Sequence, residues 1–266
     1  MNDSLRIENM FSVKDKVILI TGAGGTGSVN ARCFAGNGSK VIVASRNMDK
    51  VDRLKKTLKE EGLTIEGIQM DIADHKDIIE KVAWIAEEYG RIDGCIHTAA
   101  GCHVEDTMTF AEEELRKILN DDLLGTIFLN QEVGKVMEKQ GSGSILNYNS
   151  IDCLSVNAID AMGYGVGKSG VAQATKFFAV RLAPSGVTVN GVAPIWINTP
   201  MMAQRPQSYL DAAIGQVPMG RMSEAEDYLG LAIYLMSEAG KFTTGQTFLV
   251  DGGWSITRCF TYSEDK

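Results

Sequence analysis

Cysteine, proline and histidine are scarce in this chain, and positive charge is nowhere concentrated. Five cysteines in 266 residues (Cys33, Cys95, Cys102, Cys153 and Cys259) are an odd number, widely spaced and without a C-x-x-C pair. That pattern excludes a disulfide framework and a zinc ribbon, and it fits thiols kept reduced in the cytosol. Metal-type ligands gather once, at Cys95, His97, Cys102 and His103. Cys95 and His97 fall in a run that reads as a buried strand, so no metal is expected. The formal net charge is -8 and no basic run exceeds a dipeptide, so neither nucleic acid nor an anionic membrane surface is an expected partner. No uninterrupted apolar stretch reaches the ~20 residues of a membrane span. Asp3, Arg6 and Glu8 stand where a signal peptide carries apolar residues, and the expected location is cytoplasmic.

What the chain does contain is the balance of a globular protein, 44% hydrophobic and 23% charged, enough to bury a substantial core. Short apolar runs rich in β-branched residues recur at 17–21 (VILIT), 41–44 (VIVA), 65–70, 94–98, 144–148, 187–192 and 247–250, each with the look of a buried strand. Helical patterns lie between them at 28–37, 48–61, 75–89, 111–139, 163–182 and 224–237. Strands alternating with helices, over connections too long for hairpins, predict parallel crossovers: a doubly wound, Rossmann-type α/β sheet. With no linker, repeat or low-complexity tract, one domain is expected at 14–257, between tails at 1–13 and 258–266. Residues 195–218 break the alternation with Trp196, Pro200, Pro206 and Pro218, and are read as an irregular lid over a small-molecule substrate.

The first strand runs into Thr21-Gly22-Ala23-Gly24-Gly25-Thr26-Gly27 and then a helix. Glycines there allow a tight turn and close approach of backbone to a pyrophosphate, which the N–H groups and positive end of the helix would hold. A plain tight turn would use the same residues. The second strand ends Ala44-Ser45-Arg46, with no carboxylate for a ribose 2'-hydroxyl and an arginine suited to a 2'-phosphate. The expected cofactor is therefore NADP(H), with NAD(H) as the alternative. Asp71, followed by Ile72 after the third strand, is a candidate for the adenine, or else a helix cap.

Tyr164 and Lys168 stand at i and i+4 in a helical pattern and so share one face. A nearby ammonium favours the phenolate, which makes such a pair useful for moving a proton, though the spacing also arises in purely structural helices. Taken with a serine shortly before it (Ser150), Asn190-x-Val192-x-Pro194 after it, Asp71, the glycine loop and the closing run 245–253, GQTFLVDGG, the order of motifs resembles the short-chain dehydrogenase/reductase family over nearly the whole chain.

The resemblance implies an oxidoreductase that interconverts a secondary alcohol and a ketone. Tyr164 would exchange the proton with the substrate oxygen, Lys168 would bind the nicotinamide ribose and support the phenolate, and Ser150 would hydrogen-bond the substrate oxygen. Pro194, Ile197 and Thr199 would line the nicotinamide pocket. The family's N-N-A-G appears as His97-Thr98-Ala99-Ala100-Gly101, which leaves Ala99, Ala100 and Gly101 to offer backbone to the cofactor. The glycine loop is a residue shorter than the usual T-G-x-x-x-G-x-G, and Asp122 stands where the family's tetrad has asparagine. These departures leave a second reading, a catalytically inactive dinucleotide-binding sensor or scaffold. Cys102, His103, Asp152, Cys153, Asn157, Asp160, Trp196, Asn198 and Arg205 are expected to border the substrate, a polar mixture that points to a sugar acid or polyol ahead of a steroid-like alcohol. The family also implies a homotetramer.

Overall fold

A computed structural model describes residues 3–101, 103–199 and 202–257. Cys102, Pro200 and the C-terminal segment 258–266, with Cys259, lie outside the described residues. Seven strands form one parallel sheet: β1 (Val17–Thr21), β2 (Lys40–Ser45), β3 (Glu66–Gln69), β4 (Gly94–His97), β5 (Gly143–Tyr148), β6 (Val187–Pro194) and β7 (Thr247–Val250). Their order is β3-β2-β1-β4-β5-β6-β7, so the winding reverses between β1 and β4. Thr21 and His97 are paired at that reversal, and a crevice opens beyond their carboxyl ends, where doubly wound sheets bind ligands.

Alternate side chains of the inner strands enter opposite cores, as the continuous apolar runs require of a sheet covered on both faces, while the edge strands β3 and β7 bury no residue fully. On one face Ile18 and Ile20 of β1 pack with Ala31 and Phe34 of α1 (Gly25–Gly36), Val51 and Leu58 of α2 (Met48–Glu60), and residues near the chain's end. On the other, Val17 and Leu19 meet Ile78 and Val82 of α3 (His75–Tyr89) and more distant helices. Caps fix these helices at their starts. Asn47 accepts the Lys50 N–H at 3.1 Å and Asp74 the Lys76 N–H at 2.9 Å, satisfying donors that the helix itself cannot.

Three elements differ from the sequence expectation. The pattern at 111–139 is not one helix: α4 (Glu112–Ile118) passes through a π-helical turn at Leu119–Leu124 into α5 (Gly125–Gln140). The wider turn inserts extra backbone, as π-bulges do. It sends Asp122 into the core, 0% exposed, while the neighbouring Asp121 turns to Arg46. Next comes α6 (Met162–Leu182). The lid segment 195–218, read as irregular, contains α7 (Gln207–Gly215) behind Pro206, since proline suits a helix entrance. The pattern at 224–237 opens as a 3-10 turn, Ala225–Tyr228, before α8 (Leu229–Met236). Among the described residues no helix is long and apolar enough to cross a membrane. The segment before β1 carries a helical turn, Ile7–Met10, and buries Val13 in the core.

Candidate active site

The glycine loop is shorter in space than in sequence, because α1 begins at Gly25 rather than at residue 28, placing Gly25, Thr26 and Gly27 in its first turn. Gly22 turns with φ +95°, a left-handed conformation that glycine takes without strain. Its N–H donates to the Ala44 carbonyl at 2.8 Å. A Cβ on Gly27 would lie 2.1 Å from the Gly22 carbonyl oxygen, so only glycine lets α1 press against the end of β1. Gly24, at the N-cap, and Gly25 face open space, and no side chain caps the helix. Backbone N–H groups at a helix start, bordered by space that side chains do not fill, suit a pyrophosphate. Replacing Gly27 by Ala is expected to push α1 away and weaken dinucleotide binding roughly tenfold or more; nicotinamide fluorescence titration, with circular dichroism as a check on folding, measures this.

At the adenosine end, Ser45 and Arg46 follow β2, with Asp71 and Ile72 just beyond β3. The sequence offers no carboxylate at the tip of β2, but the fold brings two to it. Arg46 Nε lies 3.8 Å from Asp71 Oδ1, and Nη1 3.5 Å from Asp121 Oδ2. Asp121 was not anticipated; nothing in helical periodicity announces the π-turn that delivers it. Asp71 Oδ1 also accepts the Ala73 N–H at 3.0 Å, while the cap of α3 is Asp74. Ile72 is buried, and its carbonyl packs against Gly125.

Beyond β1, β4, β5 and β6 lies a cleft of about 330 Å³, and it gathers most of the chemistry. Ser150, Tyr164, Lys168, Pro194, Ile197 and Thr199 all line it. Thr26 from the glycine loop and Ala100 from the loop after β4 border it too. Ser150 follows β5, where its hydroxyl donates to Asp152 Oδ2 at 2.9 Å; burial raises the Asp152 carboxyl above its ordinary value, against the pull of this bond. Tyr164 and Lys168 share a face of α6 as their spacing predicts. Lys168 Nζ lies 5.5 Å from the Tyr164 ring centroid and donates to the Tyr148 carbonyl at 3.2 Å. That carbonyl has no sequence signal, since any residue supplies one.

Asp122 stands behind Lys168 rather than at the cleft wall, with Oδ2 3.9 Å from Nζ and Oδ1 accepting the Gly101 N–H at 2.8 Å. Burial pushes its carboxyl up, while the lysine opposes that shift.

His97, in the place of the family's asparagine, is a strut. Thr126 donates to the Asp122 carbonyl and so accepts from His97 Nε2 at 2.9 Å, which leaves Nδ1 to accept from Thr21 Oγ1 at 2.6 Å. Burial pushes its pKa down to about 3, so the ring is neutral and both nitrogens are committed. Cys95 beside it is fully buried, its thiol pushed up to about 12. Ala99, next in the same loop, packs against the core beneath β4.

Of the substrate-border expectations, Asp152, Asn157, Trp196 and Arg205 line the cleft. Cys153, Asp160, His103 and Asn198 do not. His103 turns to Glu105 and Phe110, and Asn198 donates to Glu224 at 3.0 Å. Cys102 is outside the described residues. The cleft has apolar walls as well, from Ile151, Ala158 and Met202.

A family profile described as enoyl-(acyl carrier protein) reductase matches residues 22–255. The chain is 32% identical over 247 residues to a 3-oxoacyl-[acyl-carrier-protein] reductase of Thermotoga maritima, covering 92% of this chain and 99% of that one. It is 31% identical over 253 residues to a 2-dehydro-3-deoxy-D-gluconate 5-dehydrogenase of Bacillus subtilis, covering 93% and 98%. The crystal structure of a gluconate 5-dehydrogenase from Burkholderia cenocepacia, in complex with NADP and tartrate, superposes with a TM-score of 0.89 at 25% identity, over 95% of this chain and 100% of the other. With that fold and matches spanning almost its whole length, the chain belongs to the short-chain dehydrogenase/reductase family of oxidoreductases.

Proposed function

We propose that the protein interconverts a secondary alcohol and a ketone on a hydroxylated small molecule, using NADP(H) in preference to NAD(H), with Tyr164 as the proton-transfer group. The observation that carries this reading is the convergence of Ser150, Tyr164 and Lys168 on one cleft that is continuous with the glycine loop through Thr26. The pyrophosphate would rest on the start of α1, at Gly24 and Gly25. The adenosine would lie across Ser45, Arg46, Asp71 and Ile72, and the nicotinamide against Ala99, Ala100, Gly101, Pro194, Ile197 and Thr199. A bound nicotinamide dinucleotide supplies hydride to the carbonyl carbon, or takes it from the alcohol. Tyr164 gives the proton to the carbonyl oxygen in reduction and takes it back in oxidation. Lys168, held by the Tyr148 carbonyl, keeps a positive charge beside the phenol and so favours the phenolate. Ser150 donates to the same substrate oxygen and steadies the charge that develops there.

A sugar acid or polyol is the proposed substrate class, on the strength of Asp152, Asn157 and Arg205, polar groups set among largely apolar walls. Arg205 lines the cleft with its guanidinium 5.5 Å from the Tyr209 ring centroid, and it would attract a substrate carboxylate. Relatives named for gluconate derivatives, one in complex with tartrate, and relatives named for hydroxysteroids are both similar to this chain, so the choice between the two classes rests on the cleft's own charged groups. Exposed Phe177 and Val180 on α6 support assembly of several copies through that helix, with a homotetramer as the proposed state.

Titration with NADPH and NADH, followed by sugar-acid, polyol and steroid ketones, tests the reading. Tight binding with oxidation of the cofactor by a hydroxylated ketone is the expected result; tight binding with no oxidation by any ketone would return the chain to a sensor role. Arg46→Ala is expected to weaken NADPH about tenfold while leaving NADH little changed. Equal losses for both cofactors would remove Arg46 from recognition of the 2'-phosphate.

A further inference from the structure

The buried carboxylate behind the catalytic lysine has no place in a simple tyrosine–lysine pair. Asp122 and Lys168 have side chains exposed by only 0% and 2%, with Oδ2 and Nζ 3.9 Å apart. Solvent therefore screens their interaction weakly. The carboxylate is fixed in place: the Gly101 N–H holds Oδ1, its own backbone carbonyl is tied through Thr126 to His97, and Oδ2 has no hydrogen bond. Lys168 thus lies between an anion on the core side and the phenol ring on the cleft side, 5.5 Å from its centroid.

Other ionisable groups reach this point from the neighbouring elements. From β4 comes His97, neutral because burial holds its pKa near 3. From the turn after β5 come Cys153, whose thiol burial pushes up to about 11, and Asp152, bonded to Ser150. Asp121 beside Asp122 points toward Arg46, and Arg205 reaches the cleft from the lid.

We propose that Asp122 is a positioning residue acting through Lys168: its carboxylate holds the ammonium toward the core and offsets part of its field at Tyr164, so that the phenol ionises at higher pH than it would opposite an uncharged amide. The proposal rests on the reading of Tyr164 as the proton-transfer group. It ties the loop at Gly101, on the cofactor side, to the charge state of the catalytic pair.

The phenolate of Tyr164 can be followed without turnover, as the ultraviolet difference spectrum between each protein and its Tyr164→Phe counterpart. In an Asp122→Asn background the midpoint is expected to fall by about one unit. The rising limb of alcohol oxidation should move with it, giving about tenfold more rate on that limb at a fixed pH. Asp122→Ser serves where Asp122→Asn fails to fold. An unmoved or raised midpoint would overturn the proposal, and so would a uniform loss of rate at every pH without a shift, which is the mark of a merely structural role. Turnover that survives Tyr164→Phe would instead overturn the proton-transfer reading, and the spectral midpoint would still decide the charge coupling.

Discussion

Tyr164→Phe is expected to lower turnover ~100-fold or more while leaving the dissociation constant for the cofactor within about twofold. The phenyl ring keeps the packing of tyrosine and loses one oxygen, so the effect isolates the proton. Tyr164 lines the cleft beside Ser150 and Lys168. Ser150 remains able to donate to the substrate oxygen, but Asp152, the carboxyl that accepts from it, disfavours its giving up a proton. Steady-state kinetics and a fluorescence titration on the same preparation separate the two quantities. Near-normal turnover would mean that another group, reached through water, supplies the proton. Loss of cofactor binding in parallel would mean that the ring holds the nicotinamide rather than the proton.

How much of this was legible in the sequence depends on whether a feature is local. The strand cores were legible because a strand buried on both faces must be apolar throughout, and VILIT at β1 is buried at all five positions. The Tyr164–Lys168 face was legible because it needs only the helical repeat. The glycine loop was legible as a motif, but not in its detail: that α1 begins at Gly25 follows from how closely Gly27 approaches Gly22, a contact between two backbones that no propensity encodes.

The features that escaped are those set by tertiary packing. The π-turn at Leu119–Leu124 separates Asp121 from Asp122 by direction and gives one to Arg46 and the other to Lys168. Helical periodicity gave no reason to separate the pair; the family resemblance singled out Asp122, and nothing pointed to Asp121. The insert at 195–218 hid α7 because its prolines read as breakers, whereas Pro206 opens a helix. His97 was noted as a departure from the family pattern. Its use as a bridge from Thr21 on β1 to Thr126 on α5 depends on where two distant threonines fall. Only part of the polar list expected around the substrate lines the cleft, for a similar reason: Asn198 and His103 have carboxylate neighbours elsewhere that draw them away.

Lys168→Met should be the most destabilising change in the site, and its pH dependence should identify Asp122 as the cause. Removing the ammonium leaves a carboxylate, 0% exposed, with Oδ2 unbonded. Breaking a buried pair by deleting one partner typically costs ~3–5 kcal/mol, because the remaining charge is uncompensated. For a chain of this size that corresponds to a fall in Tm on the order of 10 °C at neutral pH. The sign with pH follows from burial, which already raises the Asp122 carboxyl in the intact protein. Without its cation the folded-state value rises further above the unfolded one. Below the unfolded value, near the ordinary ~4 for a carboxyl, the group is protonated in both states and imposes no charge penalty. As the pH climbs through the raised folded value, the unfolded state ionises first and the folded state loses stability. The deficit relative to wild type should therefore narrow on acidification. Adding Asp122→Asn to Lys168→Met removes the stranded charge, so the double variant should recover most of the lost Tm at neutral pH without recovering turnover. Thermal melts of the wild type, both single variants and the double variant at two pH values form a complete cycle. A deficit that does not change with pH, or that Asp122→Asn fails to relieve, would assign the loss to the Lys168 hydrogen bond with the Tyr148 carbonyl and to packing, and would leave Asp122 without an electrostatic part in the site.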